Sequence, residues 1–352
     1  MKILHVVWGL QYGGAETMLV DIINYQAKNH QVMLLIINNA IDKSLLKDIN
    51  TNIEIIKNAR PLGSKNPFYV IRFNLAILRS KADIVHFHQD DIIRYVPWHK
   101  KNNFCLTVHS VKMDVVSLPK YKNLFAISPT VKDKLKQDYG LDSILVDNGI
   151  SIKKIVCKTS NDTQAEVLKI VQVGRLDHEP KGQDVLIRAL AILLTEYNFS
   201  SFILYLIGEG KSREYLQKIV AQLKLEKHVV FLGKQTKKEI QDNLHKYDLL
   251  VQPSMWEGFG LAVAEAMVAK VPCLISNIDG LKTLAQDNKN AMSFESGNSN
   301  DCAKMIFEFV DLSVEEKETM TERAYQYVSE NFDVSKTSQA YLSNYEAVVK
   351  LI

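Results

Sequence analysis

Short apolar runs recur along the chain, and between most of them apolar positions return every three to four residues. In the first half, runs at 3–7, 32–37, 53–56, 84–87, 104–108, 124–126 and 143–146 read as strands. Stretches 16–28, 67–79 and 129–138 read as amphipathic helices between them. The second half repeats the pattern, with strands expected at 167–173, 202–207, 229–232, 249–251 and 273–275. Helices are expected at 182–196, 213–223, 237–245 and 259–269, and helical patterns dominate from 301–309 through 314–330 to 335–350. In 182–196 the residues Val185, Leu186, Ala189, Leu190 and Leu193 fall on one face. Strand alternating with helix predicts an α/β fold of parallel sheets covered on both faces.

The polar segment 155–166 reads as a linker, so two Rossmann-like, doubly wound domains are expected. The first spans 1–153 and the second 154–334, with the closing helix at 335–352 packing back on the first. Parallel sheets bind ligands beyond the carboxyl ends of their strands. Two such domains facing each other across a cleft would bring both sets of loops together.

A length of 352 residues fits two ordinary domains, and 47% hydrophobic with 24% charged residues is a soluble, globular composition. The opening apolar run is too short for a signal peptide or a membrane span, which predicts a cytoplasmic protein. The sequons at Asn161 and Asn198 therefore read as chance. Cys105, Cys157, Cys273 and Cys302 lie far apart without a Cys-x-x-Cys pair, which argues against a zinc or disulfide framework. Charge is uneven: residues 1–150 hold 19 Lys and Arg against 13 Asp and Glu, and the remainder 24 against 27. Basic and aromatic residues interleave at 60–65, 68–73 and 94–101. Such a surface is either ordinary solvated charge or a peripheral contact with an anionic membrane. No nucleic-acid motif accompanies it, so nucleic acid is not an expected partner.

The densest chemistry lies between the strand at 249–251 and the helix expected at 259–269. There Glu257, Gly258, Phe259, Gly260 and Leu261 precede Glu265 by a few residues. The N–H groups of Phe259, Gly260 and Leu261 would point out of the helix end, a site for phosphate or a polar sugar oxygen. Glu257 is placed to accept from sugar hydroxyls, and Glu265, about 7.5 Å further along the axis, from the two hydroxyls of a ribose. The competing structural reading is a capping box formed by Ser254 and Glu257. Arg175 and Lys181, just beyond a strand, offer charge-assisted bonds to a diphosphate. Gly13 and Gly14 end the first strand and open a helix, so their amides can approach a phosphate. The three-glycine dinucleotide spacing is absent, which argues against a dehydrogenase.

Taken in order, these landmarks resemble the retaining glycosyltransferases of family 4, which have the GT-B architecture. The resemblance is carried by Glu257-x7-Glu265 in its Glu-Gly-Phe-Gly-Leu setting, with Gly13-Gly14-Ala15-Glu16, Val173-Gly174-Arg175-Leu176, Lys181-Gly182, Val230-Phe231-Leu232-Gly233 and Pro253-Ser254. It covers nearly the whole chain and is densest over residues 167–267. It implies that Arg175 and Lys181 hold the donor diphosphate and stabilise the leaving group. His109 would position the donor sugar, and the base would rest near Leu232 and Gly233. Uridine is the commonest base in the family. His88 is a candidate on the acceptor side and His86 a core residue. Asn148 matches the family's Asn-Gly before the hinge, although Asp147 stands where proline is common. The resemblance also implies front-face transfer with retention, in which the leaving phosphate takes the acceptor proton.

No Asp-x-Asp occurs, so no metal or other cofactor is expected and the two cations would neutralise the leaving charge. The expected function is hexosyl or N-acetylhexosaminyl transfer from a nucleotide-sugar donor, a UDP-sugar foremost, to a glycan acceptor. The acceptor is expected to be lipid-linked, at the inner membrane's cytoplasmic face in bacterial O-antigen or capsule assembly. The alternatives are another GT-B enzyme, such as a sugar-nucleotide epimerase or a phosphorylase, and a non-catalytic nucleotide-sugar-binding protein.

Overall fold

The computed structural model describes residues 1–98, 101–110, 116–160 and 167–351. His99 and Lys100 of the third basic–aromatic stretch, residues 161–166 of the expected linker with the Asn161 sequon, and Ile352 lie outside them. The chain divides into two compact units, Met1–Ile150 with Phe332–Ile352, and Ser151–Asn331. Each crossing falls a few residues before the boundary expected from composition.

The first unit opens with β1 (Lys2–Val7), α1 (Gly14–Gln26), β2 (Gln31–Asn38), α2 (Lys43–Lys47), β3 (Glu54–Arg60) and α3 (Pro67–Ser80). It continues through β4 (Ile84–Phe87), β5 (Phe104–Val108), β6 (Asn123–Ala126), α4 (Pro129–Tyr139) and β7 (Ile144–Leu145). Its seven strands are parallel in the order β3-β2-β1-β4-β5-β6-β7. Strands β1, β2 and β4 are almost wholly buried, as strands covered on both faces must be. Leu19 and Ile23 of α1 pack with Leu34 and Ile36 of β2 on one side of the sheet.

The second unit begins with β8 (Leu168–Val173), α5 (His178–Lys181), α6 (Gln183–Thr195), β9 (Phe202–Ile207), α7 (Arg213–Gln222) and β10 (Val229–Gly233). Next come α8 (Lys237–Asn243), β11 (Leu249–Gln252), α9 (Leu261–Val268), β12 (Cys273–Ser276), α10 (Asp279–Ala285) and β13 (Met292–Phe294). Helices α11 (Ser299–Asp311) and α12 (Val314–Asn331) complete it. Its six strands are also parallel, ordered β10-β9-β8-β11-β12-β13. Leu186, Leu190 and Leu193 of α6 join Leu204, Leu206, Val251 and Phe309 in its core. The closing helix α13 (Val334–Lys350) returns to the first unit and packs on α1. Both units are doubly wound α/β domains, as the alternating pattern predicts.

The differences are local. The helix expected at 259–269 begins at Leu261, because Gly260 adopts φ +93° and Phe259 is buried. Residue 182 lies outside its expected helix: Gly182, at φ +61°, separates α5 from α6. Helices α2 and α10 and strand β13 are too short to show a period, and β7 is shorter than expected.

In each sheet the strand order reverses once, between β1 and β4 and between β8 and β11. At such a switch point neighbouring loops leave in opposite directions and open a crevice at the carboxyl ends.

Candidate functional site

In the second unit, Lys181 and Glu257 meet at the β8/β11 switch point. Gln252 ends β11 with its side chain buried, where an apolar residue would continue the run. Its amide donates to Ser254 Oγ at 2.8 Å and to Glu257 Oε1 at 3.3 Å, and Ser254 Oγ donates to the same carboxylate at 3.0 Å. Lys181 Nζ forms an ion pair with Glu257 Oε1, both side chains being largely shielded from solvent. No helix starts at Ser254, so the capping-box reading fails and the hydroxyl serves the carboxylate itself.

Backbone packing brings the lysine there. A Cβ on Gly182 would lie 1.9 Å from the Pro253 carbonyl oxygen, so only glycine lets α5–α6 press against the β11–α9 loop. The Met255 N–H bonds the Pro180 carbonyl at 2.9 Å, tying the loops a second time. On the other side of Glu257, Gly280 approaches so closely that a Cβ would meet the Glu257 carbonyl at 2.0 Å.

Arg175 is exposed after β8, and its guanidinium makes no hydrogen bond or ion pair among the described residues. Its carbonyl is fixed by Gln183 Nε2 at 2.9 Å, so the backbone is held while the cation stays available. Helix α9 has no side-chain cap, leaving its positive end for an anion or a sugar oxygen. The start at Leu261 puts half-buried Glu265 about 6 Å along the axis rather than about 7.5 Å. At the end of β10, Leu232 is exposed and Gly233, at φ +73°, accepts at its carbonyl from the Gly208 N–H at 2.8 Å. All these loops leave carboxyl ends of the same sheet.

In the first unit the ends of β4 and β5 carry His88 and His109, rings stacked with centroids 5.8 Å apart. Behind them lie His5 of β1 and His86 of β4, partners in register. His5 Nε2 meets Gln26 Oε1, an acceptor only, at 2.8 Å, so this nitrogen carries the proton. His5 Nδ1 then accepts from His88 Nε2 at 3.0 Å, which leaves His88 Nδ1 a buried lone pair without a donor. His86 is engaged at both nitrogens, by Tyr345 Oη of α13 and by Thr107 Oγ1 at 2.7 Å. Burial pushes all these imidazoles below their usual range, His5 and His109 to about 4, so they are neutral at pH 7. His5, His86 and His88 could group around a metal ion by distance alone. Apart from His88 Nδ1, their nitrogens already bond one another, Gln26, Thr107 and Tyr345, the arrangement of a hydrogen-bonded core.

Both His109 ring nitrogens are buried without a partner among the described residues, and so is Asn148 Oδ1. Gly149, beside Asn148, would bring a Cβ to 2.4 Å from Thr337 Oγ1 and 2.9 Å from Val334 Cα, so the loop is pinned by α13. Thr337 Oγ1 also donates to the Asp147 carbonyl at 2.8 Å, which orders this loop without the proline expected there. Gly13 caps α1 and Gly14 opens it, as expected, but a Cβ on Gly13 would sit 2.6 Å from the Glu16 carboxylate. The Glu16 carboxylate thus lies over the helix end at which Gly13 and Gly14 are expected to meet a phosphate.

Comparison with known proteins fits this division. The family profile "Glycosyltransferase Family 4" matches residues 12–154, and "Glycosyl transferases group 1" matches residues 158–327. The chain belongs to the family 4 glycosyltransferases. An uncharacterised glycosyltransferase of Methanocaldococcus jannaschii is 31% identical over 188 residues, 53% of this chain and 47% of that protein. An Escherichia coli UDP-Gal:α-D-GlcNAc-diphosphoundecaprenol α-1,3-galactosyltransferase is 25% identical over 276 residues, 69% of this chain and 68% of its own. The chain spans about half the length of the first curated relatives it matches, 47% and 59%. HepE of Anabaena in complex with UDP-glucose superposes with a TM-score of 0.82 at 21% identity, over 99% of this chain and 100% of that one. At that identity the likeness establishes the GT-B fold.

Family 4 motifs located Lys181 and Glu257 but not the groups that hold them. Gln252 and Ser276 carry no motif, although a polar residue closing the run Leu249-Leu250-Val251 was a readable signal. Ser276 Oγ donates to the Ser254 carbonyl and so steadies the serine that serves Glu257. His5 and Gln26 gave no signal, because their meeting depends on how α1 lies on the sheet.

Proposed function

We propose that this family 4 glycosyltransferase moves a hexosyl or N-acetylhexosaminyl group from a UDP-sugar to a lipid-linked glycan in bacterial polysaccharide assembly. Transfer would proceed with retention and without a metal ion. The observation that carries the reading is the shielded Lys181–Glu257 pair at the β8/β11 switch point, beside the uncapped end of α9 and exposed Arg175. Lys181, Arg175 and the α9 amides supply positive charge for a diphosphate leaving group. Glu257, held in place by Lys181, Ser254 and Gln252, accepts from sugar hydroxyls and stabilises developing positive charge on the ring. In the step itself the bond from the anomeric carbon to the diphosphate breaks, and the acceptor oxygen bonds that carbon from the same face. The acceptor proton goes to the departing phosphate, so no protein base is required. Glu265 is assigned to the ribose, Leu232 and Gly233 to the base, and neutral His109 and His88 to sugar hydroxyls.

The E. coli relative's named donor and acceptor, UDP-galactose and a diphosphoundecaprenol-linked GlcNAc, support the choice of donor and acceptor class, as does UDP-glucose in HepE. Incubating the protein with UDP-, GDP- and ADP-sugars in chelator and following nucleotide release tests the assignment. One UDP-sugar should be hydrolysed slowly, and Glu257→Ala or Arg175→Ala should abolish release. Absence of both turnover and calorimetric binding for every donor would replace transfer with a non-catalytic role. Dependence on added metal would overturn metal-free catalysis, and inversion at the anomeric carbon of the product would overturn retention.

A further inference from the structure

A helix on a globular surface normally turns its apolar stripe inward and its polar residues outward. Helix α3 does not. Phe73 and Ile77 are buried against the first unit, yet Phe68, Ile71, Leu75 and Leu78 stand on the opposite side, 59%, 57%, 41% and 45% exposed. Their spacing of three and four residues makes one continuous outward stripe, about 15 Å from first to last at 1.5 Å per residue. Leu62, in the turn before the helix, is exposed as well. Arg72 and Arg79 run along the same face, each about one turn from Leu75, Arg72 donating to the Lys57 carbonyl at 3.1 Å, and α3 contains no Asp or Glu.

The chain that forms and flanks α3 is cationic. Between residues 55 and 82 the chain carries Lys57, Arg60, Lys65, Arg72, Arg79 and Lys81 and not one carboxylate, which matches the whole surplus of +6 in residues 1–150. Arg60 is committed internally, to Asn38 Oδ1 at 3.0 Å and to the Ser64 carbonyl. Lys57, Lys65, Arg79 and Lys81 make no ion pair among the described residues. On the other flank, Asn74 Nδ2 of α3 donates to the Tyr95 carbonyl at 2.8 Å and so brings half-exposed Tyr95 against the helix. An amphipathic aromatic beside an apolar stripe, with basic residues around it, is the make-up of an element lying at a lipid–water boundary.

We propose that α3 is a membrane-docking helix, lying flat in the headgroup region of an anionic bilayer with Phe68, Ile71, Leu75 and Leu78 inserted. A second copy of this chain fits poorly, because a two-fold contact would set this cationic face against itself. The inference deepens the lipid-linked acceptor reading and rests on it for its biological purpose, since docking would hold the enzyme where such an acceptor is displayed.

The test is cosedimentation of the full chain with phosphatidylcholine vesicles, with and without phosphatidylglycerol, at physiological ionic strength. The protein should pellet only with the anionic vesicles and be released by added salt. Ile71→Asp with Leu75→Asp should weaken binding at least tenfold, and Arg72→Gln with Arg79→Gln about tenfold. Both variants alter exposed residues, so donor hydrolysis in solution and thermal melting should stay at the parent level. A parent protein that ignores phosphatidylglycerol, or variants that bind as the parent does, would overturn the proposal. So would a dimer by light scattering that Ile71→Asp dissociates, since the face would then serve a second copy. Vesicle binding with neither turnover nor calorimetric binding of any donor leaves the docking helix standing and removes the transferase reading, and the opposite pattern does the reverse.

Discussion

The two units share a topology and differ in what they place at the switch point. In the second unit the crevice holds charge: Lys181 paired with Glu257, exposed Arg175 and an uncapped helix end. In the first it holds neutral imidazoles, stacked and buried, and among the described residues His88 and His109 at the strand ends keep unpaired ring nitrogens. Charge suits the leaving diphosphate, while neutral acceptors and donors suit hydroxyls without drawing in counter-ions. One scaffold thus provides two chemistries because the residues that end its strands differ, not because the strands do.

The largest effect separating the units should come from charge. Lys181→Met removes the cation proposed to face the leaving group and leaves Glu257 without its lysine partner, and should lower kcat about 10²–10³-fold. His109→Ala should cost about tenfold, chiefly through KM, because no charge is lost. Equal losses in donor turnover assays would erase the distinction. Next, Gly182→Ala places a Cβ against the Pro253 carbonyl at φ +61° and should destabilise the second unit by about 3 kcal/mol. Denaturant unfolding checks this, and an unchanged midpoint would mean that the α5–α6 junction is not rigid.

The pH response should mark the first unit instead. Folded His5 titrates near 4 against an ordinary value of 6.5, so its stabilising effect is full above pH 6.5. As pH falls from 6.5 to 4 the unfolded chain takes up a proton that the native one refuses, and about 3 kcal/mol is lost. His86 and His88 act in the same direction. Equilibrium unfolding at pH 7 and pH 4.5 should show this loss, and His5→Gln should reduce it. The smallest effect is Tyr345→Phe, which strips one hydrogen bond from buried His86 and should cost about 1 kcal/mol at pH 7.

Most of the architecture was readable because strands covered on both faces write themselves as apolar runs, and Val32 to Ile37 or Leu249 to Val251 admit little else. Glu257 and Lys181 were readable because glycines and turns constrain their neighbourhood. The start of α9 was not, since Phe259 fits an apolar helical pattern and only its burial outside the helix reveals the αL turn at Gly260. The histidine network was beyond sequence for another reason. His5, Gln26, Thr107 and Tyr345 are far apart in the chain, and each taken singly is an ordinary residue of its strand or helix. The outward face of α3 was half readable: Phe68 and Arg72 stood out as a basic–aromatic run, but which face of the helix is covered depends on the sheet beneath it.

Tyr341 and Tyr345 sit fully buried on the rings of Phe125 and His86, although some 190 residues separate their helix from β7. During synthesis the strands of the first unit leave the ribosome long before those tyrosines exist. Until then His86, Thr107 and the underside of α1 lack their cover, and an early-made sheet waits with an apolar seam open. The first half of the protein to be translated is therefore the last to be finished, and a nascent chain halted after the second unit would expose that seam to chaperones.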